Sequence, residues 1–257
     1  MSFAFSHKPD RQIHESPGFH LAGGALHEFY AAAEADGVSL CGLAMMLAEL
    51  GGGRAKLWVR HGFLEQETGF PHPPGVWELG FDPARLLFVR ARDAVSALQA
   101  GLEGARSAGL GAVIVELRGE TQAYDLTASR RLALAAKTSG VPVFLLRTGA
   151  KAVASAAETR WLAQTALSRA LAAKAPGHPV FHLILLRARN GREGLRYHLE
   201  WNRDERRFEN CLASADAERG LQPGASPAAA LSRAVAPVPA HRAGAARDEP
   251  PFGRRAG

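Results

Sequence analysis

Cysteine and long apolar runs are both scarce in this sequence. There are two cysteines, Cys41 and Cys211, and neither belongs to a C-x-x-C motif or lies near a pair of histidines. A disulfide framework and a zinc site are therefore both poor interpretations. No apolar run approaches the roughly 20 residues needed to cross a bilayer, and the N-terminus has no basic segment followed by an apolar stretch. We expect a cytoplasmic protein without a membrane span.

Lysine is scarce as well, although the chain is basic. Only five of the 31 basic residues are lysine, and the formal net charge is +6. Arginine favours bidentate contacts with phosphate and carboxylate groups, but an arginine bias also follows from the base composition of a genome. The charge is consistent with a solvated surface and with a surface for nucleic acid or an acidic partner. Charge alone does not separate these interpretations.

Composition divides the 257 residues into three regions. Residues 1–24 are polar, which predicts a flexible N-terminal segment. Residues 25–209 alternate apolar strand-like runs with helical patterns, which predicts one α/β domain. Residues 210–257 are rich in alanine, proline, glycine and arginine and have few large apolar groups. Such a tail cannot bury enough surface to offset the entropy of ordering, so we expect it to be mostly disordered.

Within the middle region, the pattern predicts a mostly parallel sheet flanked by helices. Residues 111–117 are the most strand-like run, and the short apolar runs at 56–60 and 85–90 are predicted to be buried strands. Asp93 and Asp125 are each placed to cap a helix. Because alternating strands and helices form right-handed crossovers, the connected strands are expected to be parallel.

Toward the C-terminus the pattern changes to that of an antiparallel hairpin. Residues 181–187 and 195–201 flank the dipeptide Asn190-Gly191, which is typical of a tight turn. Apolar and polar residues alternate in the second run, which predicts one buried and one solvated face. Before the hairpin, residues 148–157 are expected to be a loop of small residues with one helical turn.

The first strand-to-helix connection, residues 32–39, has the spacing of a phosphate-binding loop but lacks its chemistry. The positions that follow the motif's spacing are Ala32, Gly37, Val38 and Ser39. A working loop needs a first glycine and a lysine that reaches the terminal phosphates, and Ala32 and Val38 stand there instead. Glu34 and Asp36 add two negative charges where the phosphates would lie. We therefore expect no nucleotide cofactor and no hydrolysis.

Glu116 ends the strand-like run at the position where a magnesium-binding carboxylate would be expected. It is either a vestigial metal ligand or a polar residue leaving the sheet, and the second interpretation is favoured in the absence of a phosphate loop. No two histidines form an i,i+4 metal pair on a predicted helix, and no serine lies in a G-x-S-x-G elbow. The sequence therefore predicts no catalytic site and no metal site.

Arginine is concentrated in the predicted hairpin. The candidate contacts for DNA or a partner there are Arg187, Arg189, Arg192 and Arg196. Tyr197 and Trp201 are interleaved with these residues, but the alternation places both rings on the buried face, which favours core packing over base stacking. A weak, salt-sensitive phosphate surface remains an alternative to a solvated hairpin.

Several strings resemble RecA-like proteins. Residues 86–116 resemble the RecA stretch that leads through a helix into the strand with the metal-binding carboxylate, and residues 126–147 resemble the next helix and strand. Within this group the chain is most similar to the ImuA family, over about residues 25–208. The strings that carry this resemblance are F-D-P-A-R-L-L-F-V-R at 81–90, D-L-T-A-S-R-R-L-A-L-A-A at 125–136, S-A-A-E-T-R-W at 155–161 and L-E-W-N-R-D at 199–204.

The resemblance implies a RecA-like fold without ordinary recombinase activity. ImuA proteins act in an SOS-induced mutagenesis cassette with ImuB, a Y-family polymerase relative without catalytic acids, and with an error-prone DnaE-type polymerase. RecA is a further candidate partner. Arg147 stands where RecA has a glutamine that senses the γ-phosphate, and Lys151 is the one cation between it and Arg160. Arg147 and Lys151 are therefore further candidate contacts for DNA or a partner.

The leading hypothesis from the sequence is a non-enzymatic adaptor in translesion DNA synthesis after DNA damage. It depends on the degenerate loop, the resemblance and the lack of another active site. Two alternatives stay open: a DNA-stimulated ATPase of the RecA class, and a single-strand DNA-binding module that uses the arginine-rich hairpin.

Overall fold

The computed structural model describes residues 12–16, 19–62, 69–169 and 177–210. Its helices and strands alternate through the middle of the chain. In chain order they are β1 (Gln12–Ser16), β2 (Phe19–Ala22), β3 (Leu26–Ala31), α1 (Gly37–Glu49), β4 (Lys56–His61), α2 (Pro73–Glu78), β5 (Leu86–Ala91), α3 (Ala94–Arg106), β6 (Ala112–Arg118), α4 (Leu126–Ser139), β7 (Val143–Thr148), β8 (Thr159–Ala166), β9 (Val180–Ala188), β10 (Arg196–Asn202) and β11 (Arg207–Asn210).

Nine of these strands form one sheet in the order β11-β10-β9-β8-β3-β7-β6-β4-β5. The six strands from β5 to β8 are parallel, and β8 to β11 continue the sheet with antiparallel pairing. This confirms the predicted α/β fold, with a mostly parallel sheet and a C-terminal antiparallel hairpin. Strands β1 and β2 pair separately.

The predicted helix signals act as expected. The carboxylates of Asp93 and Asp125 accept hydrogen bonds from the backbone N–H groups of Ser96 and Ala128, both at 2.7 Å, at the first turns of α3 and α4. Helix α4 ends at Gly140, whose φ of 77° lies in the left-handed region that glycine adopts without a Cβ clash. Local chemistry therefore determines where these two helices begin and where α4 ends.

Helices cover both faces of the parallel strands. Helix α1 packs on one face, where the core includes Trp58, Phe144 and Trp161, and α3 and α4 pack on the other, where it includes Val115 and Leu145. Central strands that are covered on both faces bury almost every side chain. Strand β6 is accordingly buried from its first residue to its sixth.

Strand β5 differs from the prediction of a buried strand over residues 85–90. It is the outermost strand of the sheet on that side, and Leu87 is 50% exposed. The prediction was wrong because an apolar run does not reveal whether helices cover both faces of its strand, and at the border of the sheet this covering is incomplete. Strand β4, predicted over residues 56–60, is buried as expected.

The helical turn predicted within residues 148–157 is also wrong. After β7 ends at Thr148, residues 149–157 have no regular secondary structure. They return from the carboxyl edge of the parallel strands to the amino edge, where β8 begins. An extended chain spans this distance in few residues, whereas a helix rises only about 1.5 Å per residue.

Part of the N-terminal segment is ordered, contrary to the prediction for residues 1–24. Strand β2 buries Phe19 and Leu21 in the core on the α1 side. The ring centroid of Phe19 lies 5.4 Å from those of Trp161 and Tyr197. In the sequence these two apolar residues stand among polar ones, so the pattern did not predict a buried strand. Residues 1–11 and 211–257, where the rest of that segment and most of the predicted tail fall, lie outside the described residues.

Among the described helices, none combines the length and the apolar character needed to span a membrane.

Replacing Leu21 tests whether β2 belongs to the core. Leu21→Ala should lower the free energy of unfolding by about 2–5 kcal/mol, because it leaves a cavity beside packed aromatic rings. The matched control Leu134→Ala removes the same atoms from a residue that is 67% exposed, and should change stability by less than about 0.5 kcal/mol. Urea denaturation measures both values, and equal effects would contradict the assignment of β2 to the core.

Candidate functional site

The connection from β3 to α1 lies at the carboxyl edge of the parallel strands, where open α/β sheets bind their ligands. A cavity of about 360 Å³ opens there between α1, the ends of the central strands and residues 69–79. Its lining is mostly apolar, with Val38, Met45 and Trp58 among the wall residues. Polar groups are confined to the base and the rim. A cavity of this character fits apolar groups better than a polyphosphate.

The loop before α1 is held closed by its own side chains. Asp36 is buried, and its Oδ2 accepts a hydrogen bond from the backbone N–H of Ala33 at 3.1 Å. Its Oδ1 accepts hydrogen bonds from the backbone N–H and the hydroxyl of Thr165 in β8, at 3.1 and 2.9 Å. The expectation that Asp36 points at a phosphate position is therefore corrected, because its carboxylate connects the loop to β8.

The backbone donors of this loop are used as well. The N–H of Ala32 donates to the carbonyl of Ala163, and the N–H of Asp36 donates to that of Ala33, both at 3.0 Å. A phosphate cradle needs backbone N–H groups that point at the ligand. Three such groups of this loop, including that of Ala33, are already bonded within the protein.

The predicted loop residues lie at the start of α1, as the spacing implied. Val38, at the lysine position, is 60% exposed and lines the cavity. Gly37 lies so close to β7 that a Cβ on it would be 3.0 Å from Cγ2 of Thr148. Ser39 is half-buried and Ala32 is exposed. None of these four residues supplies a positive charge.

Glu116 lies at the base of the cavity and does not leave the sheet, so the favoured interpretation from sequence is wrong. Strand β6 continues to Arg118, and Glu116 is only 5% exposed. Its Oε2 accepts a hydrogen bond from Nε of Arg60 at 3.1 Å. Its Oε1 accepts hydrogen bonds from the indole N–H of Trp58 and the thiol of Cys41. Both oxygens are thus used inside the protein.

The surroundings of Glu116 form a neutral cluster, which we call the Glu116 cluster: Cys41, Trp58, Arg60 and Glu116. The guanidinium of Arg60 also donates to the carbonyl of Gly69 at 2.9 Å and lies 5.6 Å from the centre of the Trp58 ring. Burial, followed by the adjacent Glu116 carboxylate, raises the pKa of the Cys41 thiol well above its ordinary value. Cys41 is therefore a protonated donor here, and an unreactive one.

These residues do not fit a nucleotide with its magnesium ion. The carboxylate that would hold the metal is paired with Arg60, and the lysine position is apolar. At the rim, Arg118 lies with its guanidinium 3.8 Å from Oε1 of Glu34, so a carboxylate already faces that cation. Across the described ranges, no group of three or more His, Cys, Asp or Glu residues could hold a metal ion.

Arg147 is not available to DNA or a partner, which corrects the prediction for this residue. It is 2% exposed and donates to the carbonyl of Gly119 at 3.1 Å. Its guanidinium carbon lies 5.9 Å from the ring centre of Tyr30 and 5.3 Å from that of Tyr124. Both tyrosine hydroxyls donate to the fully buried carboxylate of Glu28. Arg147 is therefore part of the interior.

The remaining predicted contacts are exposed but lie at opposite edges of the sheet. Lys151 follows β7 at the carboxyl edge. Strand β9 runs antiparallel to β8 and ends opposite Thr159, which places the hairpin turn at the amino edge. The exposed arginines of that hairpin are Arg187, Arg189, Arg192 and Arg196. Lys151 and the hairpin arginines therefore do not form one surface.

Sequence reasoning missed one arginine at the amino edge. Arg160 lies on β8 and pairs in register with Arg187 on β9. No strand was predicted over these residues, because the run T-R-W-L-A-Q-T-A lacks a continuous apolar pattern. The β-branched and aromatic residues Thr159, Trp161 and Thr165, which strands favour, were the signal that could have revealed it.

The fold is RecA-like: a mostly parallel sheet between helices, extended by antiparallel strands, with a loop-to-helix site at its carboxyl edge. The crystal structure of the RadB recombinase is similar, with a TM-score of 0.51 and 17% sequence identity. The match covers 76% of this chain and 94% of RadB. Identity at this level shows the fold alone. No protein-family model and no curated protein matches the chain.

Substituting Glu116 tests whether its charge is a structural part of the sheet. Glu116→Gln should lower the free energy of unfolding by about 3–5 kcal/mol, because it removes the charged partner of the buried ion pair between Glu116 and Arg60. The matched control is Glu120→Gln at an exposed position, for which we expect a change within about 0.5 kcal/mol. Thermal and urea denaturation provide the comparison. Equal stabilities of the two variants would show that the buried pair contributes nothing.

Proposed function

We propose that this chain is a non-enzymatic accessory protein of SOS-induced translesion synthesis and mutagenesis, which binds a polymerase-like partner. The partner would be an ImuB-like Y-family polymerase homologue, acting with an error-prone DnaE-type polymerase, and RecA is a further candidate. The resemblance to the ImuA family names these partners. The RecA-like fold and the likeness to a recombinase support a role in DNA repair or recombination.

One observation carries the non-enzymatic part of the proposal: both oxygens of Glu116 are bonded to the Glu116 cluster. A carboxylate that binds magnesium must have lone pairs free for the ion. Releasing Glu116 would break its buried ion pair with Arg60, at a cost of several kcal/mol. With Val38 at the lysine position, the site also lacks the positive charge that triphosphate binding needs.

The carboxyl edge is also the more suitable face for a protein partner. Val38 and Phe70 line the cavity and are 60% and 55% exposed, and Trp77 on α2 is 67% exposed. Exposed apolar residues beside a cavity mark a protein contact more often than scattered surface residues do. Aromatic side chains of this kind contribute much of the energy of protein interfaces.

A nucleotide titration tests the non-enzymatic part. With Mg²⁺ present, we expect no saturable binding of ATP to the wild-type protein in calorimetry. The double variant Ala32→Gly/Val38→Lys restores the missing loop residues but leaves Glu116 paired, so we expect no hydrolysis from it. A RecA protein is the positive control. Saturable ATP binding by the wild type, or turnover by the double variant, would contradict the proposal.

A binding measurement tests the partner. The purified chain should bind an ImuB-like polymerase homologue with a Kd in the micromolar range or tighter. Phe70→Ser and Trp77→Ser should each weaken binding by about tenfold or more, because each removes an apolar anchor. Leu134→Ser, equally exposed but on α4 across the sheet, is the matched control.

Two results of this measurement would count against the proposal in different ways. Failure of the wild-type proteins to associate at micromolar concentration would reject the partner. Binding that withstands both aromatic variants, yet is lost when residues 212–257 are deleted, would move the contact from the carboxyl edge to the C-terminal residues.

A further inference from the structure

A second cavity lies at the amino edge of the sheet, across the molecule from the Glu116 cluster. Its volume is about 190 Å³. In contrast to the first cavity, its charged lining is all of one sign. The lining residues are Ser155, Ala157, Arg160, Arg187, Ala188 and Arg189. Three guanidinium-bearing residues thus surround one small cavity.

Strand pairing brings the three arginines together. Arg160 on β8 and Arg187 on β9 are register partners, and the register shifts immediately after Arg160. Such an irregularity re-aims side chains at the end of a strand pair. Arg189 follows β9, and its backbone N–H donates to the carbonyl of Glu158 at 2.9 Å. The backbone therefore positions all three before any ligand is present.

Two of the three side chains are also held by neighbouring groups. Nε of Arg160 lies 3.5 Å from the buried carboxylate of Glu28. Arg189 donates to the carbonyl of Ala156 at 2.9 Å, and its Nε lies 3.6 Å from the carboxylate of Glu158. Both retain further N–H donors, since a guanidinium has five. Preorganised donors of this kind lower the entropic cost of binding an anion.

Arg187 differs from the other two. It is exposed, and no hydrogen bond or ion pair to it is seen in the part of the chain that the structure describes. The cavity is therefore bordered by three positive charges against two carboxylates. One of these carboxylates, that of Glu28, is fully buried and accepts hydrogen bonds from Tyr30 and Tyr124. The local charge that faces solvent is positive.

We propose that this cavity binds a backbone phosphate of single-stranded DNA. The planar forks of arginine match phosphate oxygens, and the cavity has room for a phosphate together with part of its sugar. Arg192 and Arg196 are exposed on the same hairpin, with the exposed Glu193 between them. The two cations outnumber this carboxylate, so a net positive surface continues away from the cavity as a strand of phosphates requires. An isolated carboxylate of an acidic peptide would leave most of this space unfilled.

This site is independent of the proposed adaptor function. It lies at the amino edge, whereas the partner face lies at the carboxyl edge, so one chain can hold DNA and a protein partner at once. Loss of either activity leaves the other measurable, and the two proposals fail separately.

Fluorescence anisotropy with a labelled 20-nucleotide oligothymidine tests the site in the full-length protein. Arg187→Gln should weaken binding by about tenfold at low salt, because it removes one charge-assisted contact to phosphate. It should also reduce the slope of log K against log salt by about 0.7. The matched control is Arg92→Gln, which removes the same charge from a side chain that is 88% exposed at the far side of the sheet.

A second variant separates the contribution of the planar guanidinium from that of its positive charge. Arg160→Lys keeps the positive charge beside Glu28 but loses the planar fork, and should weaken DNA binding several-fold. Unchanged thermal denaturation of the Arg187 and Arg92 variants establishes that folding does not explain their difference. If Arg187→Gln and Arg92→Gln bind DNA equally, or if the wild type shows no salt-dependent binding, the phosphate site is rejected.

Competition identifies the source of the anion. Pyrophosphate and unlabelled oligothymidine should both displace the labelled strand, with the oligonucleotide effective at far lower concentration because it offers several phosphates. Polyglutamate of equal charge should compete weakly. If polyglutamate binds more tightly than DNA and this binding is lost in Arg187→Gln, the cavity is a site for an acidic protein and the DNA assignment is overturned.

Discussion

The rest of the structure depends on the charge of Glu116 and on how the protein neutralises it. An uncompensated carboxylate on β6, an inner strand of a covered sheet, would be very unfavourable. Arg60, Trp58 and Cys41 supply a counter-charge and two further donors. These three residues come from β4 and α1, so one carboxylate connects two strands and the helix that packs over them. The same cluster uses both oxygens of Glu116 inside the protein.

The sequence predicts well those features whose causes lie within a few residues. Caps at Asp93 and Asp125 need only a carboxylate and the next turn of backbone, and the Asn190-Gly191 turn needs only its own two residues. The parallel order follows from alternation of strands and helices. In the loop before α1, the sequence itself shows that Val38 stands at the lysine position of the motif. For these reasons the α/β fold and the degenerate loop were both accessible from the sequence.

The remaining features depend on partners that are distant in the chain. Glu116 is 75 positions from the thiol that donates to it, and Asp36 is 129 positions from Thr165, so neither side chain's role could be inferred from spacing. Strand β8 is defined by its neighbours β3 and β9 rather than by an apolar run. Arg147 was a candidate contact because it stands where RecA has a glutamine that senses the γ-phosphate, yet its guanidinium lies against two tyrosine rings in the interior.

The two edges of the sheet use arginine in opposite ways, and burial explains the difference. At the carboxyl edge, Arg60 is buried and must be paired, so its charge is neutralised internally. At the amino edge, Arg187 ends a strand in solvent, where an unpaired cation costs little because water screens it. An incoming anion can gain only from the second kind of residue. The sheet thus separates a mostly apolar cavity, for which we propose a protein partner, from a cationic one, for which we propose phosphate.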